Sequence, residues 1–158
     1  MSLAKKLAER AEKEKVDLVV LCGDITYFDQ STKNIVGFEM MTDFTKPITL
    51  VEGVFDAFSV KYNAVPLFGK TLSSKLKIKL MTQKPPRVNV LLDNDAVKSS
   101  LEICTFLIQN QIDAYLVLLD GKDPNEIGHI KTWQNIDASV KMDETTLFKM
   151  KMKLKHNL

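Results

Sequence analysis

Three loops of this 158-residue chain place carboxylates directly after an apolar run. Glu52 closes Ile48 to Val51, Asp93 and Asp95 close Val88 to Leu92, and Asp120 and Asp123 close Ala114 to Leu119. Each run is rich in Val, Ile or Leu with little alternation, the pattern of a strand buried on both faces of a parallel sheet. In open parallel sheets ligands bind beyond the carboxyl ends of the strands. The five acids are therefore expected along one edge. Crowded carboxylates repel one another and stay ionised together only with a cation among them. Hard oxygen donors with open positions suit Mg²⁺, which keeps waters and binds substrate phosphates; Mn²⁺ is its natural substitute. One or two such ions polarise a phosphodiester and steady the attacking and leaving oxygens. Asp and Glu are also ordinary turn and cap residues, so one such loop says little. Three on one edge give the set its weight.

Other chemistry is sparse. His129 and His156 are the only histidines, and Cys22 and Cys104 the only cysteines. Two distant cysteines inside apolar runs make no four-ligand zinc site, and read as buried thiols in a reducing compartment. No zinc is expected. Gly69-Lys70-Thr71 resembles the end of a nucleotide-binding loop, but the first glycine of that motif would fall at Ala64. Gly69 reads instead as a turn glycine. His129 and Trp133 read as helix-packing residues.

The elements that must position the acids follow from hydrophobic spacing. Leu3, Leu7, Ala8 and Ala11 give an amphipathic helix to about residue 14, and Val16 to Cys22 a buried strand. Ile48 to Val51, residues 63–68, Val88 to Leu92 and Ala114 to Leu119 give further strands. Helices are expected over 55–62, 73–83 (with Thr71 or Ser73 as N-cap) and from Val97 to Ile108. Pro85-Pro86 is a firm break. Asp123-Pro124-Asn125-Glu126 has the form of a helix start, with a cap, a proline at the first position and a glutamate at the third. Ile127, Ile130 and Trp133 are expected on that helix's buried side. Phe148, Met150, Met152 and Leu154 alternate with Lys149, Lys151, Lys153 and Lys155, which reads as a strand with a lysine face. Edge-strand lysines commonly block aggregation, and that reading is preferred; they could also track a phosphate backbone. Alternating strands and helices give an α/β domain with a mainly parallel central sheet flanked by helices, Rossmann-like, with an extra N-terminal helix-strand unit.

Composition bounds the rest. Hydrophobic residues are 45% and charged residues 27%, which excludes collagen-like and disordered classes. No run approaches the ~20 apolar residues of a membrane span, so no membrane association is expected. The net charge is +2, so nucleic-acid binding must come from local patches rather than a global polycation.

At this point the residues resemble a known family. Ile48-Thr49-Leu50-Val51-Glu52-Gly53-Val54-Phe55-Asp56-Ala57 is similar to the first Toprim motif, a strand followed by E-G-x-x-D. Leu91-Leu92-Asp93-Asn94-Asp95-Ala96 is similar to the second, a strand followed by D-x-D-A. Residues 119–126 (LDGKDPNE) resemble the D-G-x-D-P-D segment of DNA primases, and residues 63–72 (NAVPLFGKTL) the second strand and glycine turn of primase Toprim domains. The resemblance covers about residues 35–135. It implies a four-stranded parallel sheet between helices, Mg²⁺, and the making or breaking of phosphodiester bonds. Glu52 would be the catalytic glutamate, a metal ligand or general acid/base. Asp93 and Asp95 would hold the metal, with Asp56 and Asp123 as supporting acids. Asn125 stands where primases often have an aspartate, which puts a second metal in doubt. The implied partners are a single-stranded DNA template and nucleotides, with Lys149, Lys151, Lys153 and Lys155 as candidate contacts, and the implied setting is the cytoplasm of a bacterium or phage-infected cell.

Residues 18–28 (LVVLCGDITYF) weakly resemble the strand and G-D turn of calcineurin-like metallophosphoesterases, which would match Asp24 to a metal ligand. The D-x-H and G-N-H motifs of that family are absent, so Asp24 is a poor catalytic candidate. The expected organisation is an N-terminal extension over 1–35, a Toprim-like domain over 36–135 and a C-terminal extension over 136–158. The expected function is that of a Mg²⁺-binding Toprim domain of a phage-type DNA primase supporting nucleotidyl transfer. The alternatives are a small Toprim nuclease and a catalytically silent, chimeric or engineered α/β domain.

Overall fold

The computed structural model describes residues 42–121 and 123–155. The expected helix and strand before residue 35, with Cys22 and Asp24, lie outside them. The chain runs β1 (Ile48–Val51), α1 (Val54–Val60), β2 (Ala64–Pro66), α2 (Ser74–Gln83), β3 (Val88–Leu91), a 3-10 turn (Asn94–Ala96), α3 (Val97–Gln109), β4 (Ala114–Leu116), α4 (Pro124–Asp137), β5 (Val140–Met142) and α5 (Glu144–Lys155). The strands form one sheet in the order β2-β1-β3-β4-β5. The first four are mutually parallel, and β5 pairs antiparallel with β4. The fold is thus the expected α/β architecture, a mostly parallel sheet flanked by helices.

The strand order reverses at β1. The chain steps outward from β1 to β2 through α1, then returns past β1 to β3 through α2. Crossovers between parallel strands are right-handed, so stepping in opposite directions puts the connecting helices on opposite faces. On one face Ile48, Leu50, Val88 and Val90 pack with Leu76 and Leu80 of α2 and Leu101, Cys104 and Leu107 of α3. On the other, Val51 and Leu91 pack with Ala57 and Val60 of α1 and Ile136 of α4. Successive strand residues therefore serve different layers, as the pleat requires. Truncating one of the fully buried leucines to alanine costs about 2–5 kcal/mol. Cys104 is buried and free, and burial pushes its thiol up to about 12. It stays neutral at physiological pH.

Local signals explain the helix boundaries. The Ser73 hydroxyl accepts from Leu76 N, so α2 takes the expected cap. Asp123 accepts from Glu126 N, with Pro124 in the first turn of α4. α4 is not one regular helix, because Gly128 takes φ 78° and breaks its phase. That break corrects one expectation: Ile130 is 75% exposed, while Ile127 and Trp133 face the core. Trp133 Nε1 donates to Val60 O, and His129 Nδ1 lies 2.8 Å from Ser59 O. Both rings thus satisfy carbonyls at the α1 C-terminus, groups that a helix end leaves without internal partners.

The larger correction is at the C-terminus. Residues 148–154 are not a lysine-faced strand but lie within helix α5. Asp143 Oδ1 accepts from Thr146 N at 2.6 Å, capping the helix. Leu147 is buried and Met150 packs against the core at helical spacing. Glu144 in the first turn and Lys153 and Lys155 in the last suit the helix dipole. Among the described residues the strand at that edge of the sheet is instead the short β5, which precedes the helix and pairs antiparallel with β4. No helix among the described residues is long and apolar enough to cross a membrane.

Candidate metal centre

The reversal of strand order makes β1 and β3 neighbours, paired from Ile48↔Val88 to Val51↔Leu91. Their carboxyl ends open at the topological switch point, where open α/β sheets bind ligands. Glu52 leaves the end of β1. Asp93 and Asp95 leave the end of β3, Asp93 just before the 3-10 turn and Asp95 within it. One carboxylate oxygen from each of Glu52, Asp93 and Asp95 lies within 4.8 Å of the other two. These three acids, distant in sequence, could hold a metal ion between them.

The electrostatics are those of a site under strain. Glu52 Oε2 and Asp93 Oδ1 are buried and have no hydrogen-bond partner among the described residues. Buried polar oxygens are nearly always paired, so orphans call for a reason. Burial, then the Asp93 charge, pushes the Glu52 carboxyl above the ordinary range. Asp93 is raised by burial and by the charges of Asp123 and Asp95. Lys70, in the loop after β2, opposes both shifts. Its Nζ lies 2.9 and 2.8 Å from the two Asp95 carboxylate oxygens. Carboxylate oxygens are the hard donors that Mg²⁺ prefers, and the two orphans find no partner for a cation to replace among the described residues. The residues fit a divalent ion.

Asp56 and Asp123 stand outside the triad. Asp56 is buried; its Oδ2 accepts from Gly53 N at 2.8 Å, and its Oδ1 from Asn125 Nδ2 at 2.9 Å. Burial raises its carboxyl, while the Gly53 hydrogen bond lowers it. It therefore fixes the loop carrying Glu52 and ties it to the start of α4. Asn125 Oδ1 accepts in turn from Ser59 Oγ at 2.7 Å. Asp123 caps α4, and its charge acts on Asp93 and Asp56. Asp120 is exposed and outside the triad. Lys149, Lys151, Lys153 and Lys155 lie on α5, exposed and away from the triad, with Lys151 Nζ donating to Thr105 Oγ1 of α3.

Two contributors carry almost no signal in the sequence. Lys70 is marked only as the residue after a turn glycine. Asn94, between the two aspartates, donates from Nδ2 to Gly121 O at 2.6 Å and Leu119 O at 3.3 Å, stapling the β3 and β4 loops together. Its position inside D-x-D is the only hint of that role.

No family model matches the chain, and no curated protein sequence matches it. Among solved structures it is similar to the Aquifex aeolicus primase (zinc binding and RNA polymerase domains), with a TM-score of 0.57. The fold is primase-like. The similarity covers 85% of this chain at 23% identity, so it speaks to the fold alone. The chain spans 36% of that structure's length, about a third.

Proposed function

We propose that this chain is the metal-binding unit of a Toprim-type DNA primase, holding Mg²⁺ through Glu52, Asp93 and Asp95 for phosphodiester chemistry on nucleic acid. The convergence of these acids at the switch point, two of their oxygens buried without partners among the described residues, carries the reading. The primase-like fold supports it. A bound Mg²⁺ would supply Lewis-acid polarisation of a phosphoryl oxygen. The Glu52 carboxyl, raised by burial and by the Asp93 charge, is the group best suited to exchange a proton where it is not ligating the ion. Asp56 and Asn125 hold the Glu52 loop in place for that role.

The second component of the proposal is the nucleic-acid track. Once residues 148–154 are helical, protection of a strand edge no longer explains their lysines. α5 carries four lysines against one acid, and α2 three lysines and no acid. Both helices flank α3 on the same sheet face, where Lys77 Nζ lies over the Phe106 ring and Lys151 Nζ meets Thr105. A single-stranded template laid across this layer would be held by its phosphates.

Calorimetric titration of Mg²⁺ and Mn²⁺ into the wild type and an Asp93→Asn/Asp95→Asn variant tests the metal site. Binding in the wild type and its loss in the variant is expected; equally weak binding in both overturns the proposal. Incubation with single-stranded DNA and divalent ion, with and without nucleoside triphosphates, separates the chemistries. Triphosphate-dependent synthesis supports the primase reading, and cleavage without triphosphates replaces it with a nuclease. For the track, Lys149→Glu/Lys153→Glu is expected to weaken single-stranded DNA binding. It should also flatten the salt dependence by about 0.7 in log–log slope for each phosphate no longer neutralised.

A further inference from the structure

At Lys70 the chain itself supplies a cation to the acid cluster, and the backbone that delivers it is unusual. Phe68 sits at φ 53° and Gly69 at φ 138°. Left-handed backbone is costly for a bulky residue such as phenylalanine. Such conformations persist where the surroundings over-determine them, and they cluster at functional sites. Here the surroundings are explicit. Leu67 and Leu72 are buried on either side of the turn. Leu67 N donates to Val51 O, and Gly69 N to Glu52 O at 3.3 Å, so the turn is stitched to the loop that carries the first acid. The outcome is an ammonium gripping both oxygens of Asp95, whose side chain is itself 74% exposed. An exposed ion pair of this kind adds little to folding. Stability alone gives no reason for a strained turn to build it.

We propose that Lys70 is a built-in counter-cation of the acid cluster, a positioning residue that keeps Asp95 turned toward Glu52 and Asp93 until a divalent ion takes its place. This rests on the metal-binding reading above. An ammonium and a divalent ion compete for the same Asp95 oxygens, so Lys70 holds metal affinity below what the three carboxylates alone would give. It also orders the exposed acid before the ion arrives.

The test uses the whole chain and four proteins: wild type, Lys70→Met, Lys70→Arg and, as a control for net charge, Lys131→Met at an exposed position of α4. Each is titrated with Mn²⁺ by calorimetry at neutral pH and melted in EDTA and in saturating Mn²⁺. Lys70→Met is expected to bind Mn²⁺ roughly fivefold tighter or more, to melt lower than wild type in EDTA, and to gain more from the ion. Lys70→Arg should stay near wild type, and Lys131→Met within about twofold, its charge being screened by solvent. A purely structural lysine would lower the EDTA midpoint without raising affinity. Lys70→Met binding Mn²⁺ no more tightly than wild type, or no more tightly than Lys131→Met, overturns the proposal while leaving the metal site standing. Absence of Mn²⁺ binding in all four proteins overturns both readings.

Discussion

The two ends of strands β1 and β3 carry polar groups of opposite character. At the amino-terminal end, Asn89 and Thr49 are buried and bonded to each other, Nδ2 to Oγ1 at 3.1 Å. Arg87 Nε donates to Asn89 Oδ1 at 2.7 Å, and one of its terminal nitrogens donates to Ser139 Oγ and Ile136 O. Its guanidinium also lies over the Tyr115 ring, 4.0 Å from the centroid. Here charge, donors and acceptors match within the polypeptide. At the carboxyl-terminal end, three carboxylates face one another, two of their oxygens are orphaned, and a lysine reaches only the outermost. The strands are continuous between the two ends, so the contrast comes from side-chain choice rather than from backbone. A matched network locks β3 against β1 and α4. A mismatched one costs stability and is the arrangement expected where an outside ion completes the set.

Breaking the two ends separately should give opposite signatures. The largest effect is expected from Asp93→Asn/Asp95→Asn, which removes the stabilisation that divalent ion confers. At an ion concentration a hundred times the dissociation constant that stabilisation is about 2.7 kcal/mol. Thermal melts with and without Mn²⁺ read it directly: a wild-type shift that vanishes in the variant. Next, Asn89→Ala strips the buried Thr49 hydroxyl and the Arg87 guanidinium of their shared partner, at a cost of about 1–3 kcal/mol. In a chain of this size each kcal/mol moves the midpoint by about 2–4 °C. Metal affinity should not change. If it falls with the Asn89 change, the two ends are coupled and the comparison fails.

Glu52→Gln sharpens the contrast through pH. Burial and the neighbouring acids hold the Glu52 and Asp93 carboxyls above their unfolded values. The folded state therefore binds those protons more tightly. The resulting stability is fully present below the unfolded value and is lost as pH rises through the raised folded value. In EDTA at neutral pH, Glu52→Gln should accordingly melt at or above wild type, the gap closing as acid protonates Glu52. With Mn²⁺ the order should reverse, because affinity grows with pH across the same window as the ion displaces protons. A Glu52→Gln protein that melts lower in EDTA at neutral pH would show Glu52 to be a structural group. The smallest expected change is from Asn125→Ala, which removes one hydrogen bond to Asp56. It should weaken metal binding modestly by loosening the Glu52 loop, with a stability change of about 0.5–1.5 kcal/mol.

Local signals carried much of this fold. The strands at Ile48 and Val88 were legible because residues buried on both faces read as unbroken apolar runs. The start of α4 was legible because Asp123 and Pro124 fix it through their own backbone chemistry. The α5 sequence reads as a strand because its apolar and lysine residues alternate, which satisfies a period of two as readily as it populates a helix. Asp143 as cap, and a stretch after Thr146 with no β-branched residue, were the signals that favour a helix. The exposure of Ile130 was not legible, since a helical wheel assumes the regular phase that Gly128 interrupts.

Burial and turn chemistry are written within a few residues, so most of the core, the ends of the buried strands and the acids that follow β1, β3 and β4 can be read without coordinates. The tertiary fold sets β1 beside β3 and so selects which acids meet. It alone brought Lys70 from a third loop onto Asp95. Sheet order and side-chain convergence are set by crossover handedness and by packing between layers, and those link residues that no local pattern connects.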